Sequence, residues 1–337
     1  MIKLDSNENP FGPSPLAVKA MQAVLADCST YPDDEASTLR VKLAESRGVK
    51  IEQILVTGGL TELLGMLART FLANGLNAIT SERSFIVYRL ATEAANAQLM
   101  EVPMRRDRFD LRGIAAAVNQ NTRIIFLANP NNPTGTVVTT DEVDHFLTHL
   151  PEHVVVILDE AYYEFAADFA ARRGVKYSHS LNYVHEGRNI VVLRTFSKVH
   201  GLAGVRVGYG IAPPELVSRV SRQRGLYCVS NLAQAGALAA IEDTAHIRKA
   251  VDNNTDQSER LMQAISELGY AATATWANFL YSELGRGART FAKLLEVEGI
   301  MVRALDQWGA PQAIRITIGT PEQNDALLRA LRKLKDS

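Results

Sequence analysis

Hydrophobic positions along this chain fall into two alternating patterns. Short, largely apolar runs occur at 77–81, 98–103, 123–128, 154–158, 190–194 and 205–211. Around and between them, apolar residues return at helical spacing, as at Leu63, Leu64, Leu67 and Ala68. Short apolar runs separated by helical segments suit strands covered on both faces. The expectation is an α/β fold with a mostly parallel sheet covered by helices. After Pro213 the pattern is largely helical, through 215–223, 232–242 and 247–268. Three β-like pieces at 277–282, 300–303 and 313–318 then alternate with helices at 288–298 and 321–335, which reads as a smaller α+β unit. Residues 1–14 are polar and rich in turn formers (Asn7, Asn9, Pro10, Gly12, Pro13), so they predict an arm laid across another surface, ahead of a helix over 15–27. The division expected is an N-terminal arm over 1–30 that joins the small domain, a large domain over 31–240 and a small C-terminal domain over 241–337.

Composition removes several kinds of partner. A formal net charge of −1 over 337 residues offers nothing to draw a nucleic acid or an anionic membrane surface. No apolar stretch approaches the roughly 20 residues of a membrane span, and the N-terminus lacks the apolar core of a signal peptide. Two cysteines, Cys28 and Cys228, form no metal-type spacing, which points to a reducing, cytoplasmic home. His145 and His149 lie four apart on a predicted helix, with His153 beyond Pro151. With no cysteine or clustered carboxylate beside them, they read as a solvated helix face, and no metal is expected. Gly208-Tyr-Gly210 lacks the third glycine of a dinucleotide-binding fingerprint, and no phosphate-loop motif occurs.

The candidate chemistry sits at strand ends. The run 190–194 leads into Thr195-Phe-Ser-Lys-Val-His-Gly-Leu-Ala-Gly-Val-Arg206: two hydroxyls, a lysine, a glycine-rich bend and an arginine. A lysine desolvated at a strand end has a lowered pKa, and its neutral amine can attack a carbonyl. Thr195, Ser197 and Arg206 would suit a phosphate beside that amine. An aldehyde cofactor that carries its own phosphate, pyridoxal 5′-phosphate, needs this combination. On these residues alone, a surface lysine in an ordinary strand–loop explains them equally well.

Two further strand ends decide the matter. Arg123-Ile-Ile-Phe-Leu-Ala-Asn-Pro-Asn-Asn-Pro-Thr-Gly135 ends in a tight turn, and Val154-Val-Val-Ile-Leu-Asp-Glu-Ala-Tyr162 ends in carboxylates. Ligands sit at the carboxyl ends of parallel strands, so Asn132, Asp159, Tyr162 and Lys198 are expected on one edge. Asp159 suits a protonated pyridine nitrogen, Asn132 and Tyr162 suit the ring hydroxyl, and Lys198 suits the covalent link and the proton transfers. Singly, each is better explained as a cap or a turn residue. Four in order at successive strand ends favour the cofactor. The turn Gly58-Gly59-Leu60-Thr61, between a short strand and a helix, could add free N–H groups for the phosphate. Taken alone, a plain strand–helix turn is the simpler account of it.

Together the motifs Leu4-Asp-Ser-Asn-Glu-Asn-Pro-Phe-Gly-Pro-Ser14, Tyr31-Pro-Asp33, Asn129-Pro-Asn-Asn-Pro-Thr-Gly135, Asp159-Glu-Ala-Tyr162, Arg194 to Arg206, Asn278-Phe279 and Ile314-Arg-Ile-Thr-Ile-Gly-Thr320 span nearly the whole chain. They resemble the fold-type I, class I/II pyridoxal-phosphate aminotransferases, and most of all the histidinol-phosphate aminotransferase family. The resemblance implies that Lys198 is the cofactor lysine, Asp159 the pyridinium partner, and Asn132 and Tyr162 the ring-hydroxyl contacts. It implies a phosphate site of Thr195, Ser197 and Arg206 with the turn at Gly59, Leu60 and Thr61. Phe85 would stack on the ring. Tyr31 would reach the phosphate of the other subunit, which implies a homodimer with shared sites. Arg315 would hold a substrate carboxylate or phosphate, with Arg303 as helper and Asn9 nearby. The implied reaction moves an amino group from histidinol phosphate to 2-oxoglutarate, in histidine biosynthesis. An aromatic amino-acid aminotransferase and a threonine-phosphate decarboxylase-like lyase are the alternatives. The chain departs from the family pattern at Leu60-Thr61, Phe85, His200 and Gly225-Leu-Tyr-Cys-Val229, and these departures bear on the substrate rather than on the cofactor.

Overall fold

A computed structural model of the chain describes residues 1–285 and 287–335. The described residues form two sheets. The apolar runs make a seven-stranded sheet in the order Ile54–Thr57, Gly208–Ile211, Ile190–Thr195, Val155–Asp159, Thr122–Ala128, Asn77–Ser81 and Gln98–Val102. Neighbours are parallel throughout, except that Gly208–Ile211 runs antiparallel to both of its own. Val155–Asp159 and Ile190–Thr195 are buried at every position, as strands with no wet face must be. Helix Leu60–Phe71 buries Leu63, Leu64 and Leu67 in the core against this sheet. This is the α/β, mostly parallel class that the periodicity predicts.

The second sheet runs Ile2–Leu4, Ile300–Ala304, Ala313–Thr317, Phe279–Glu283 and Ala271–Thr273. Its first pair is parallel and the others antiparallel. Leu280, Ile300, Ile314 and Ile316 form its core with Phe291 and Leu295 of helix Ala288–Val297 and with Leu327 and Leu331 of helix Pro321–Lys335.

Three details differ from the pattern-based expectation. The polar arm begins as a strand, because Ile2–Leu4 pairs with Ile300, Met301 and Val302 and buries Leu4 completely. Three residues are too few to display a period. The run 205–211 is interrupted: Arg206 adopts φ +62°, a left-handed conformation no strand tolerates, so the strand starts at Gly208. The first helix stops at Ala23 instead of residue 27, and a short 3-10 turn, Leu25–Ser29, follows.

Register then places the chemistry. Ala128 lies beside Asp159, and Asp159 beside Leu193. The turn after Ala128, the segment Asp159 to Tyr162 and the loop after Thr195 therefore leave the sheet along one edge. Among the described residues, no helix is long and apolar enough to cross a membrane. Nor do three His, Cys, Asp or Glu side chains among them group to hold a metal ion; the His145 and His149 rings simply pack edge to face, 4.6 Å apart.

Candidate active site

That edge borders a cavity of about 360 Å³. Asn132, Asp159, Tyr162 and Lys198 line it from the strand ends, and Leu60, Thr61, Thr195, Ser197 and Arg206 from the adjoining loops. Phe85 lines it as well, while Arg303, Trp308 and Arg315 reach it from the second sheet.

One part of the wall is built for an anion. Helix Leu60–Phe71 begins at Gly59 with no described side chain capping it, so its first N–H groups are free for a ligand. Gly59 adopts φ +94°, and a Cβ there would collide with the Arg206 guanidinium. Glycine is therefore what lets that arginine lie against the turn. Arg206 is held by donating to the Ala203 carbonyl at 2.8 Å. Thr195 Oγ1 donates to Ser197 Oγ at 3.0 Å. Helix terminus, two hydroxyls and guanidinium form the donor set that a phosphate group takes.

Beside it sits the amine. Lys198 Nζ donates to the Ser6 carbonyl at 3.2 Å. Burial, and then the positive charge of Arg315, pull its pKa down to about 7. A large fraction of the amine is neutral at physiological pH. Asp159 is buried, and burial raises its carboxyl to about 6, against hydrogen bonds from the Tyr88 hydroxyl (2.8 Å) and the Ala161 N–H (3.2 Å). A cation placed against it would reverse that shift. Glu160, the next residue, points elsewhere, into a buried pair with Arg194 at 2.6 Å. Tyr162 accepts from Asn7 Nδ2 at 2.9 Å, and burial raises its pKa, which keeps the phenol protonated. Phosphate donors, a partly neutral lysine, a buried carboxylate and a phenol together fit pyridoxal 5′-phosphate.

The opposing wall carries permanent charge. Arg303 and Arg315 are direct cross-strand partners, so their side chains leave the small sheet on one face. Arg303 pairs with the Asp5 carboxylate at 3.0 Å. Arg315 donates to the Asp5 carbonyl at 2.7 Å and to Asn132 Oδ1 at 2.6 Å, while its buried Nε has no partner among the described residues. Burial lowers the Arg315 pKa to about 10, which still leaves it ionised at neutral pH.

Two expected residues lie elsewhere. Asn9, expected near substrate, instead turns its amide to the Val199 carbonyl at 2.7 Å, and so braces the residue after Lys198. Tyr31 is 80% exposed and stacks on Tyr227 with ring centroids 4.5 Å apart, away from the cavity of its own chain. Conversely, Tyr88, Ser6, Asn7 and Trp308 line the cavity without having been anticipated. Tyr88 is one aromatic on an amphipathic helix, Val87–Ala94, and nothing in its sequence marks it. Asn7 could have been found, since it lies in the dense polar run Asp5-Ser-Asn-Glu-Asn9.

Residues 1–331 match the family model "Aminotransferase class I and II". The chain belongs to the class I and II aminotransferases. Within that family, the histidinol-phosphate aminotransferase of Akkermansia muciniphila is 41% identical over 99% of this chain and 90% of the relative. That of Moorella thermoacetica is 40% identical over 99% and 85%. The crystal structure of histidinol-phosphate aminotransferase from Sinorhizobium meliloti in complex with pyridoxal-5′-phosphate is similar at a TM-score of 0.91 and 28% identity, covering 99% of this chain and 90% of that one.

Proposed function

We propose that this aminotransferase moves the amino group of histidinol phosphate to 2-oxoglutarate, as a cytoplasmic enzyme of histidine biosynthesis that binds pyridoxal 5′-phosphate. The observation that carries the substrate is the register of Arg303 with Arg315, which presents two guanidinium groups to the cavity. One arginine suffices for a carboxylate; a dianionic phosphate gains from two. Relatives at about 40% identity with this substrate in their names support the same reading. Cys28 and Cys228, both unpaired, agree with a reducing compartment.

Each residue then has a task. The turn at Gly59, Leu60 and Thr61, with Thr195, Ser197 and Arg206, binds the cofactor phosphate. Asp159 holds positive charge at the ring nitrogen, and Tyr88 keeps its carboxylate aimed. Asn132 and Tyr162 orient the ring oxygen, and Phe85 offers a stacking face. Bound pyridoxal 5′-phosphate supplies an electron sink for the negative charge that develops at the donor's α-carbon. Lys198 Nζ takes the proton from that carbon, holds it as an ammonium and hands it on. Arg315 and Arg303 fix the donor's anionic group.

The test is a panel of donors, histidinol phosphate, phenylalanine and phosphothreonine, scored for keto product and for carbon dioxide. Histidinol phosphate is expected to be the preferred donor, without carbon dioxide. Preference for phenylalanine would make the enzyme an aromatic aminotransferase, and carbon dioxide from phosphothreonine would make it a lyase.

The assembly in this reading is a homodimer with shared sites, in which exposed Tyr31 reaches the partner's phosphate. Mixing inactive Tyr31→Ala and Lys198→Ala chains should then restore part of the activity, because one site of each hybrid is intact. A fully active monomer would overturn this.

A further inference from the structure

Trp308 lies in the turn that joins the two arginine strands, Ile300–Ala304 and Ala313–Thr317. It lines the active-site cavity and also two neighbouring cavities of about 230 and 400 Å³. Phe85 and Tyr88 border the first and second of the three, and Arg303 the first and third. Among the described residues, Trp308 alone borders them all.

The other residues that the active-site cavity shares with a neighbour have polar or aromatic anchors. Tyr88 bonds Asp159, Arg303 pairs with Asp5, and Phe85 packs edge-on to Tyr88 at 5.7 Å. The Trp308 ring is held by packing against Tyr281, Leu305, Ala310 and Ala313. Its buried Nε1 has no hydrogen-bond partner among the described residues. An orphaned N–H is destabilising, and a smaller apolar ring would pack here without one. Packing of the turn alone therefore does not account for a tryptophan. A bicyclic ring standing between three spaces does.

We propose that Trp308 is the specificity-determining partition of this active site: its ring closes the cavity off from both neighbours and sets the length of donor side chain that fits. With the ring in place, the room for a donor side chain ends at the ring. Without it, the space continues into both neighbouring cavities. The inference rests on transamination in this cavity, not on the identity of the natural donor.

The test uses holoenzymes of the unaltered protein, Trp308→Phe and Trp308→Ala, each checked for a cooperative melt. Single-turnover loss of the bound cofactor's visible absorption is followed with phenylalanine and with homophenylalanine. These donors differ by one methylene and carry no side-chain charge. One methylene too many for a closed apolar pocket is worth about tenfold or more. The unaltered protein should prefer phenylalanine by such a factor, Trp308→Ala should erase the preference, and Trp308→Phe should fall between. Should the alanine chain fail to fold, the phenylalanine chain decides. An unaltered protein that does not distinguish the two donors, or the same ratio in all folded variants, overturns the proposal; two inert donors in every protein count as the same ratio. Histidinol phosphate run alongside separates the readings, since its failure beside a Trp308-dependent length ratio overturns only the substrate assignment.

Discussion

The cavity wall built by the seven-stranded sheet and the wall built by the five-stranded sheet handle charge in opposite ways. On the first, burial pulls Lys198 down to about 7 and pushes Asp159 up to about 6, so both groups sit near their titration points at physiological pH. On the second, the guanidinium groups of Arg303 and Arg315 meet Asp5, the first at its carboxylate and the second at its carbonyl. In the function proposed above, the first wall does the chemistry, because its groups are desolvated on rigid strand ends. In the same reading the second recognises substrate, because its guanidinium groups keep their charge at neutral pH. In the proposed reading, chemistry and choice of substrate are thus lodged in different sheets, and a change in one wall is expected to leave the other intact.

Substitutions can break that separation in order of severity. Lys198→Ala should lower transamination by ~10³-fold or more, because the proton carrier is gone. It should also abolish the protein-linked cofactor's visible absorption. Normal turnover by this variant would remove the central assignment.

Asp159→Asn should cost activity on the order of 10²-fold, as loss of a preorganised charge does, while keeping an oxygen for the Tyr88 hydroxyl. Its effect on stability has the opposite sign. The folded-state pKa of Asp159 is raised from 3.8 to about 6, so its contribution to stability is present below about pH 4 and is lost as pH rises through about 6. At pH 7 the apoprotein carries that burden and the asparagine variant does not. Thermal melts of the two apoproteins should therefore show the variant higher at pH 7, with the gap closing toward pH 4.

Arg303→Ala should test the other wall. Use of histidinol phosphate should weaken by about 1.5 kcal/mol, the lower end for a hydrogen bond to a charged group, because this side chain is 41% exposed. Phenylalanine, with no side-chain anion, should lose less. Equal losses in kcat/KM for both donors would merge the two walls functionally.

The gentlest test alters no residue. Competitive acylation of the apoprotein, read by mass spectrometry, should show Lys198 becoming reactive as pH rises through about 7, whereas an ordinary lysine does so near 10.5. The same lowering means that its contribution to apoprotein stability improves with pH between those two values. A midpoint near 10 would show that burial does not tune the amine.

How much of this was legible in the sequence differs between the walls. Asn132, Asp159, Tyr162 and Lys198 could be read because each follows an apolar run, and parallel strands collect their carboxyl ends. The partnership of Arg303 and Arg315 was legible only as a suggestion, since the connection over 305–312 could have set any register. Asn132 was expected to serve the cofactor ring, yet it also bonds Arg315 and so ties the two walls together. Tyr88 and the strand Ile2–Leu4 escaped notice for a common reason. Each acts through a partner distant in sequence, Asp159 and Ile300–Ala304 respectively, and local periodicity carries no trace of such pairings.

The short strand Ile2–Leu4 and the residues after it also have a bearing on the order of events during synthesis. Asp5 meets Arg303 and Arg315, Asn7 meets Thr317 through its N–H, and Ser6 meets Lys198. Residues that leave the ribosome early thus wait for partners some 300 positions later before they can dock. The strand ends of the larger sheet can line up while the chain is still being made. The amine and the arginines gain their last contacts only after residue 317 has emerged, so a nascent chain that stalls earlier can hold the outline of the fold without a finished site.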